Sequence, residues 1–184
     1  GEKIDKIKWN LWRAPTDNDR NQKNFWNDKF LRYVQPNVRK YVVNGNEIIF
    51  SVCLASVSKR PIVQARLSYT FCKEGVKIGV RYELQQTHYF DYLPRIGFAI
   101  KTDKKYDKVK YLAYGPYETY ADSYDFAFKG EYAGSVNEQY HHYVKPQESG
   151  SHYRAEYAEI TDGKHCIRAE GMQSFSALPY SAET

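Results

Sequence analysis

The sequence predicts an all-β protein whose sheets are mostly antiparallel. First, runs in which apolar and polar residues alternate recur along the 184 residues, most clearly in 65–86 and 151–171. Second, turn-forming pairs such as Asn44-Gly45 and Asp162-Gly163 stand beside or within such runs. Third, only one segment keeps the 3.6-residue period of a helix. Short strands with turns between them are typical of a sandwich or a barrel.

The one predicted helix lies near the N-terminus, and the predicted strands follow it. Over residues 22–33 aromatic residues recur at helical spacings, and the polar stretch before them offers Asp and Asn side chains that suit an N-cap. Because no segment rich in Gly, Ser and Pro interrupts the chain, residues 1–184 are predicted to form a single β-sandwich domain. The strands are expected at 42–56, in a hairpin over 65–86 that turns at Lys73-Glu74-Gly75, at 93–101, at 108–115, and in a hairpin over 151–171.

The composition indicates a globular chain without a membrane segment. Hydrophobic residues make up 42% and aromatic residues 16%, which is enough to bury a core and excludes an intrinsically disordered protein. No run reaches the roughly 18 apolar residues of a membrane-spanning helix, and the first residues lack the apolar stretch of a signal peptide. We therefore expect no membrane partner.

The net charge of +5 is a modest basic excess for this length. Part of it lies in residues 101–110, where lysines alternate with aspartates and a tyrosine. This pattern is typical of a solvated strand edge or loop, where lysine discourages pairing with another edge, and a nucleic-acid patch is the alternative. We expect no nucleic-acid partner.

The cysteines and histidines show no spacing that suggests a disulfide framework or a metal site. Cys53, Cys72 and Cys166 are odd in number, far apart and each in an apolar stretch, so buried free thiols in a reducing compartment are expected. The five histidines form no HxxxH, HExxH or Cys/His cluster, so surface or packing roles are expected for them. These patterns fit a cytoplasmic protein with no metal bound by this chain.

The polar cluster WRAPTDNDR is the first dense set of charges in the chain. Asp17 and Asp19 could chelate a cation, but an EF-hand loop that began at Asp17 would need a glycine where Gln22 stands and a glutamate where Asp28 stands. We therefore interpret the cluster as a substantially buried turn in which Asp and Asn side chains bind backbone amides and Arg13 pairs with a carboxylate. The alternative is that the cluster faces a substrate pocket and contacts sugar.

Two further clusters hold carboxylates. In GPYETYADS, Glu118 and Asp122 lie among tyrosines, whose rings can stack on a pyranose while carboxylates accept hydrogen bonds from its hydroxyls. The loop could equally be packed by its aromatic side chains, and the residue types leave both interpretations open. Glu148 in KPQESG could pair with Glu118 as in a glycosidase, but any two of the 22 acidic residues could be proposed in this way.

Five sequence blocks occur in one order: WRAPTDND, LPRIG, YGPYETYADS, PQESG and FSALPYS. In this order they resemble the C-terminal β-sandwich domain of the large bacterial β-galactosidases of glycoside hydrolase family 2, which carries WRAPxDND, LPRxG, GPxENYxDR, PQENG and FSxxPYS. The resemblance covers residues 9–183, almost the whole chain.

The resemblance implies the fold of this chain and the activity of a longer parent. The fold would be a galactose-mutarotase-like β-supersandwich, and the parent would hydrolyse terminal non-reducing β-D-galactosides of the lactose type with retention. The two catalytic glutamates of the family lie in a TIM barrel, so the resemblance implies no catalytic residue in this chain and an inactive isolated fragment. In the family a tryptophan-bearing loop follows FSxxPYS, so the domain is expected to be truncated at its C-terminal end. Its expected role is to shape the active-site mouth and to support assembly.

The resemblance also assigns candidate residues, as structural or pocket-rim positions rather than catalytic ones. Three departures from the family pattern fall beside them: Thr119 stands for Asn, Ser123 for Arg, and Ser149 for Asn, so roles of those amides and that guanidinium are not carried over. The candidates are Arg13, Asp17, Asn18, Asp19, Arg95, Glu118, Tyr120, Asp122, Gln147 and Glu148.

The resemblance places partners and cofactors outside this chain. The parent's TIM barrel and immunoglobulin-like domains, a β-galactoside substrate and further copies of the parent in a homo-oligomer are the expected partners, in the cytoplasm of a bacterium. Enzymes of the family commonly use Mg²⁺ and a monovalent cation, and no cofactor is expected in this fragment. The alternatives are a stand-alone carbohydrate-binding module and an aldose mutarotase of the same fold, which would need a general acid and base at the sugar ring.

Overall fold

The computed structural model describes residues 6–57, 59–73, 75–85, 92–144 and 147–180. Within these ranges strands dominate, and the one α-helix is α1, Lys23–Asp28. Every pairing inside the two four-stranded sheets is antiparallel. The prediction of a mostly antiparallel all-β protein with one short helix is therefore confirmed.

The described strands are numbered along the chain. In sheet order, β2-β3-β4-β5 and β11-β10-β7-β8 form the four-stranded sheets, β1 pairs with β6, and β9 pairs with β12. Single turns of 3₁₀ helix lie at Asp17–Asp19, Leu31–Tyr33 and Asn137–Gln139. The strands are β1 (Lys6–Asn10), β2 (Gln35–Asn44), β3 (Glu47–Ala55), β4 (Val63–Cys72), β5 (Gly75–Leu84), β6 (Gly97–Lys101), β7 (Lys108–Gly115), β8 (Phe128–Ser135), β9 (Ser151–Tyr153), β10 (Tyr157–Thr161), β11 (Cys166–Glu170) and β12 (Ser174–Ser176).

The chain divides into two compact units. Unit 1 comprises Gly1–Ile7, Ala14–Asp17 and Ile100–Thr184, and unit 2 comprises Lys8–Arg13 and Asn18–Ala99. Each four-stranded sheet belongs to one unit, with β2 to β5 in unit 2 and β7, β8, β10 and β11 in unit 1. The prediction of a single domain over the whole chain stays a prediction.

The core of unit 2 lies where the helical segment packs on one end of its sheet. Leu54 on β3 and Val63 on β4 stand opposite each other in register and are fully buried. Trp26 and Leu31, each 1% exposed, belong to the same apolar cluster. Burial of such side chains contributes roughly 25 cal/mol for each Å² of apolar surface removed from water, so this end of the sheet is the stable part of the unit.

The helix is shorter than the sequence predicted. The aromatic spacing over 22–33 suggested one continuous helix, but α1 ends at Asp28, and Phe30 takes a left-handed backbone conformation with a φ of 55°. A 3₁₀ turn follows. In a straight helix, positions five apart point about 140° away from each other, so this break allows Trp26 and Leu31 to enter one core.

Unit 1 is built on β11-β10-β7-β8. Its core contains Val109, Tyr111 and Ala113, which alternate along β7 and are at most 2% exposed. This is the alternation of a strand with one buried face, and β7 has the bounds that the sequence predicted. The Tyr111 ring packs on those of Tyr132 and Phe175, at centroid distances of 5.6 and 5.1 Å.

The predicted hairpin turns are present. Gly45 takes a φ of 60° in the two-residue turn between β2 and β3. β4 and β5 are joined at the expected turn, of which Glu74 lies outside the described residues. β10 and β11 pair around Asp162, whose carboxylate accepts from the backbone N–H groups of Lys164 and His165 at 2.8 and 2.6 Å. The start of the predicted 151–171 hairpin instead forms β9, which pairs with β12.

Several strands were not predicted from the sequence. β1, β8 and most of β2 were missed, and the strand expected at 93–101 is confined to β6. The sequence of β2 does not alternate regularly, because the register shifts between Val38 and Lys40 and the adjacent Val42 and Val43 point to opposite faces. β8 carries two glycines, which are disfavoured in strands.

All three cysteines are free, but they differ in burial. Cys53 is buried, Cys72 is half-buried and Cys166 is exposed. The prediction of burial is wrong for Cys166 because this residue begins β11, which lies at the edge of its sheet and is mostly exposed.

Candidate functional site

Two of the sequence motifs meet in unit 1, where the loop after β7 lies against β9. The fully buried Thr119 joins them: its N–H donates to the Ser151 carbonyl oxygen at 2.6 Å, and its Oγ1 accepts from the Tyr153 N–H at 2.9 Å. The same hydroxyl donates to the carbonyl oxygen of Tyr114, near the end of β7, at 3.2 Å. Because a threonine hydroxyl can donate and accept at once, one side chain fixes the loop to both strands.

The loop leaves β7 through a cis Gly115-Pro116 peptide bond. The Tyr132 hydroxyl donates to the Gly115 carbonyl oxygen at 3.1 Å, and the Tyr111 hydroxyl donates to the Pro116 carbonyl oxygen at 3.2 Å. A Cβ atom on Gly115 would lie 3.0 Å from the Tyr132 ring, so a glycine suits this close approach. The Gly-Pro pair thus sets the direction in which the chain reaches Glu118.

Glu118 is the centre of the site because three donors converge on its carboxylate. Oε2 accepts from the Gly150 N–H at 2.7 Å and from the Tyr120 hydroxyl at 3.3 Å. Oε1 accepts a short hydrogen bond from the Tyr143 hydroxyl. The donors come from the glutamate's own loop, from the segment before PQESG, and from PQESG itself, whose Pro146 lies outside the described residues. Each bond is strengthened because its acceptor is charged.

Gly150 has a backbone geometry that other residues would disturb. Its φ is +66°, and a Cβ atom there would lie 2.6 Å from the Gln139 carbonyl oxygen and 2.6 Å from Cδ2 of Leu178. The left-handed conformation disfavours residues with a side chain, and a backbone oxygen cannot swing away as a flexible side chain can. The glycine therefore brings its N–H to Glu118 in a turn too narrow for another residue.

The two phenols that bind Glu118 are held in their protonated forms. Burial, followed by the negative charges of Glu118 and Glu148, raises the pKa of Tyr120. Burial and the hydrogen bond to Glu118 raise the pKa of Tyr143 to about 12. Both hydroxyls therefore remain donors at neutral pH, as a carboxylate acceptor requires.

The other motif residues of unit 1 differ in burial. Glu148 is 5% exposed, and Gln147 is half-buried. Asp122 is exposed, in a tight turn closed by two backbone hydrogen bonds of 3.0 Å between Tyr120 and Ser123. Asp122 therefore lies outside the half-buried hydrogen-bond network that holds Glu118.

His152 packs at the base of the same site and is 1% exposed. Its ring lies 4.3 Å from the Tyr111 ring and 5.1 Å from the Phe175 ring. Nε2 lies 2.8 Å from Oε1 of Gln139, and Nδ1 lies 3.4 Å from the Tyr114 carbonyl oxygen. Burial lowers the pKa of His152, so the ring is neutral at neutral pH. The packing role expected for the histidines is thus seen at this one.

The geometry favours one of the two interpretations that the sequence left open for GPYETYADS. Both carboxylate oxygens of Glu118 are bonded inside the protein, and the hydroxyls of Tyr120 and Tyr143 are used on it. Three of the roughly four acceptor sites of the carboxylate and both phenolic protons are thus used within the protein, which leaves little of this capacity for a sugar or a reacting glycosidic oxygen. The arrangement therefore acts as an internal clamp between loops, and the packed-loop interpretation is favoured.

Two residues of the first motif, Arg13 and Asp19, form an ion pair within unit 2. Nη2 of Arg13 donates to Oδ1 of Asp19 at 2.8 Å, and the guanidinium carbon lies 5.5 Å from the centroid of the Trp26 ring. Asp19 is 5% exposed, so the predicted pairing of Arg13 with a buried carboxylate is confirmed. The loop as a whole is less buried than predicted, because Asp17 and Asn18 are exposed.

The predicted cap of α1 is absent. Gln22 occupies the N-cap position, and its side chain makes no capping hydrogen bond. Asp19, which the sequence offered as a cap, instead pairs with Arg13. The Arg13–Asp19 ion pair thus holds the loop before α1 in place but does not cap the N-terminus of the helix.

Arg95, the last of the candidate residues, is half-buried just before β6, in unit 2.

Over the ranges that the structure describes, no group of three or more His, Cys, Asp or Glu side chains could hold a metal ion.

Sequence reasoning missed three members of the site: Tyr143, Gln139 and His152. Tyr143 is 25 residues from Glu118, and no local pattern distinguishes it from the other 17 tyrosines. Thr119 was noted only as a departure from the family pattern, yet it is the fully buried link between the two loops. Its position between Glu118 and Tyr120 was the available signal, since both neighbours were already candidates.

The whole chain matches one protein family. The family model described as the β-galactosidase small chain matches residues 1–184. The β-galactosidase of Staphylococcus xylosus is 30% identical over 94% of this chain, and that of Actinobacillus pleuropneumoniae is 32% identical over 96% of it. The β-galactosidase of Priestia megaterium is 26% identical over 94%.

The chain spans about 18% of the length of these relatives. In the part of the chain that the structure describes, no helix is long and apolar enough to cross a membrane.

The Glu118 clamp predicts a large stability effect for a small change. Glu118→Gln removes the charge that three donors share and places an amide NH₂ against a hydroxyl donor. We expect the free energy of unfolding to fall by about 1.5–3 kcal/mol, the range for hydrogen bonds to charged groups. Asp122→Asn, the same chemical change at the exposed position, should alter it by less than about 0.5 kcal/mol. Urea unfolding of the three proteins measures the difference, and equal effects would refute the clamp.

A second prediction concerns Asp19. Asp19→Ala leaves the Arg13 guanidinium over Trp26 without its carboxylate, so the free energy of unfolding should fall by about 1–3 kcal/mol. Asn18→Ala, in the same loop but exposed, should change it by less than about 0.5 kcal/mol. Thermal and urea unfolding test this, and a silent Asp19→Ala would contradict a structural role for the pair.

The pKa of His152 predicts how stability depends on acid. Its folded-state pKa is lowered by burial, so below the unfolded value near 6.5 the unfolded chain binds a proton that the folded chain does not. The free energy of unfolding should therefore decrease as the pH falls from about 7 to 5, by up to about 1.4 kcal/mol per pH unit. His152→Gln should flatten this slope, whereas His165→Gln, at an exposed histidine, should not. Urea titrations at several pH values would show whether the slope persists without His152.

Proposed function

Because the chain belongs to the β-galactosidase small-chain family, we propose that it is one part of a larger β-galactosidase that hydrolyses terminal non-reducing β-D-galactosides of the lactose type. The coverage carries this proposal. The family match spans residues 1–184, while the same stretch makes up about 18% of relatives that are themselves named β-galactosidases. One part of such an enzyme would give this pattern.

In this proposal the chemistry takes place elsewhere in the parent. Two glutamates of a TIM barrel would carry out hydrolysis with retention: one attacks the anomeric carbon, and the other protonates the leaving oxygen and then activates water. The clamp in unit 1 supports this division, since both oxygens of Glu118 already accept hydrogen bonds from the protein. The isolated chain would accordingly be inactive.

The proposed role of this chain is structural. Folded as a galactose-mutarotase-like supersandwich, it would shape the mouth of the active site and support assembly with the parent's TIM barrel and immunoglobulin-like domains. The clamped loops support this role, because a surface that must hold a neighbouring domain in place gains from loops fixed by buried hydrogen bonds. The parent would act as a homo-oligomer in the bacterial cytoplasm.

We propose that the Mg²⁺ and the monovalent cation common in the family bind to other parts of the parent. Among the described residues, the His, Cys, Asp and Glu side chains form no group of three that could hold a metal ion. Asp19 is paired with Arg13, and the Glu118 carboxylate accepts three hydrogen bonds from the protein. No step that involves a cation is assigned to this chain.

The decisive test compares the isolated chain with the parent protein. The chain, shown to be folded by circular dichroism, should release nitrophenol from nitrophenyl β-galactoside no faster than buffer. The parent should turn the substrate over at a rate typical of enzymes. In the parent, Glu118→Gln should lower thermal stability while the activity of the folded fraction is kept.

Other outcomes would assign another function. Hydrolysis by the isolated chain that Glu118→Gln or Glu148→Gln abolishes would move the chemistry into this chain. Galactose binding in calorimetry, with an inactive parent, would favour a carbohydrate-binding module. Accelerated mutarotation of α-galactose in polarimetry would favour a mutarotase.

A further inference from the structure

The sheet β2-β3-β4-β5 of unit 2 has two unlike faces. Its register places Tyr41 opposite Phe50 and Val43 opposite Ile48. These side chains share a face with the buried Leu54, which lies four residues beyond Phe50 and six beyond Ile48 on β3. We call this the apolar face. Its uncovered part includes Tyr41, Val43, Phe71, Val76, Ile78 and Tyr82.

The opposite face is more polar, although Val42 and Ile49 also lie on it. Ser51, Arg66 and Arg81 stand in register across three strands there, and Ser68 stands opposite Gly79. A sheet with one polar and one apolar face is built to be covered on the apolar side and solvated on the other.

The apolar face is covered at one end only. Leu54 and Val63 at that end are fully buried beneath Trp26 and its neighbours. Toward the other end the exposed fraction of Val43 is 60%. The apolar residues of the core are therefore followed, on the same face of the sheet, by apolar residues that are exposed to solvent.

Aromatic rings link the exposed part across three strands. The Tyr41 and Phe50 rings lie 6.1 Å apart, and the Phe50 and Tyr69 rings lie 5.9 Å apart, edge to face. Tyr41 and Val43 on β2, Phe71 on β4, and Val76, Ile78 and Tyr82 on β5 are each at least 39% exposed on this face. The largest contiguous apolar patch on a soluble protein is often functional.

We infer that the uncovered part of the apolar face packs against an apolar layer that the parent polypeptide supplies from outside these 184 residues. The inference rests on the proposed function, because the layer belongs to the rest of the larger enzyme. The curated relatives have most of their length outside the matched stretch, which supplies the necessary chain. Continuity with the Leu54 cluster indicates that the layer completes an existing core.

The chemistry of the face favours such a layer over a glycan. Sugar sites combine aromatic rings with amides or charges that bind hydroxyls. The rings here are surrounded by Val43, Val76 and Ile78, and no Asp, Glu, Asn, Gln, Lys or Arg shares their register positions among the described residues. Aliphatic side chains between the rings suit packing against another apolar surface.

The test uses neighbouring residues of one strand in the parent protein. Val43 and Val42 are both exposed, at 60% and 49%, but point to opposite faces of β2. Val43→Lys should lower the melting temperature by about 5 °C or more, because it places a charge under the covering layer. Val42→Lys, the matched control, should change it by less than about 1 °C.

A second measurement serves if Val43→Lys does not fold. Val43→Cys and Val42→Cys are small changes, and maleimide labelling of the native parent can be read by peptide mass mapping. We expect at least tenfold slower labelling at position 43 than at position 42. Equal rates would overturn the inference.

The remaining outcomes overturn it in favour of another occupant. An equal loss of stability from Val43→Lys in the isolated chain would show that the face is covered without the parent. Dissociation of an oligomer by Val43→Lys with an unchanged melting temperature would assign the face to a second copy, and polysaccharide binding lost in Tyr41→Ala would assign it to a glycan. The activity of the unmodified parent distinguishes the proposed enzyme function from the proposed interface. If the parent is inactive on β-galactosides but a cysteine at position 43 still labels slowly, the proposed function is refuted and the proposed interface stands.

Discussion

The hydrogen bonding of the Glu118 carboxylate is the constraint on which the rest of unit 1 depends. A carboxylate can leave water only when donors replace the bonds that it loses. Here the donors are the Gly150 N–H and the hydroxyls of Tyr120 and Tyr143, each on a different stretch of the loops. The charge thereby gives two tertiary restraints, through Tyr143 and Gly150, and one local restraint, through Tyr120. Thr119 beside it adds the hydrogen bonds that join the loop to β9.

Much of the fold could be predicted from local sequence. Turns with glycine at left-handed positions, such as Gly45, and the buried alternation of Val109, Tyr111 and Ala113 report directly on backbone and burial. The helix over 22–33 was predicted too long because periodicity cannot show that Phe30 turns left-handed to bring Leu31 into the core. β2 was largely missed because its sequence does not alternate regularly: the register shifts between Val38 and Lys40, and the adjacent Val42 and Val43 point to opposite faces.

The site was less predictable than the fold. The motifs indicated Glu118 and Arg13 because charged residues in dense clusters stand out in a sequence. The partner of Arg13 is six residues away and was within reach of turn chemistry. The partners of Glu118 are 25 and 32 residues away, and only the folded loops bring Tyr143 and Gly150 to its carboxylate. Long-range polar contacts of this kind leave no local period in a sequence.

The turn at Gly150 has a genetic consequence. All other amino acids carry a Cβ atom, so every missense change in this codon places that atom 2.6 Å from the carbonyl oxygen of Gln139, on a backbone with a φ of +66°. No replacement is mild, whatever its size or polarity. A replacement at position 150 therefore requires the chain around Gln139 and the Leu178 side chain to shift as well. Substitutions at these three positions are accordingly expected to depend on one another.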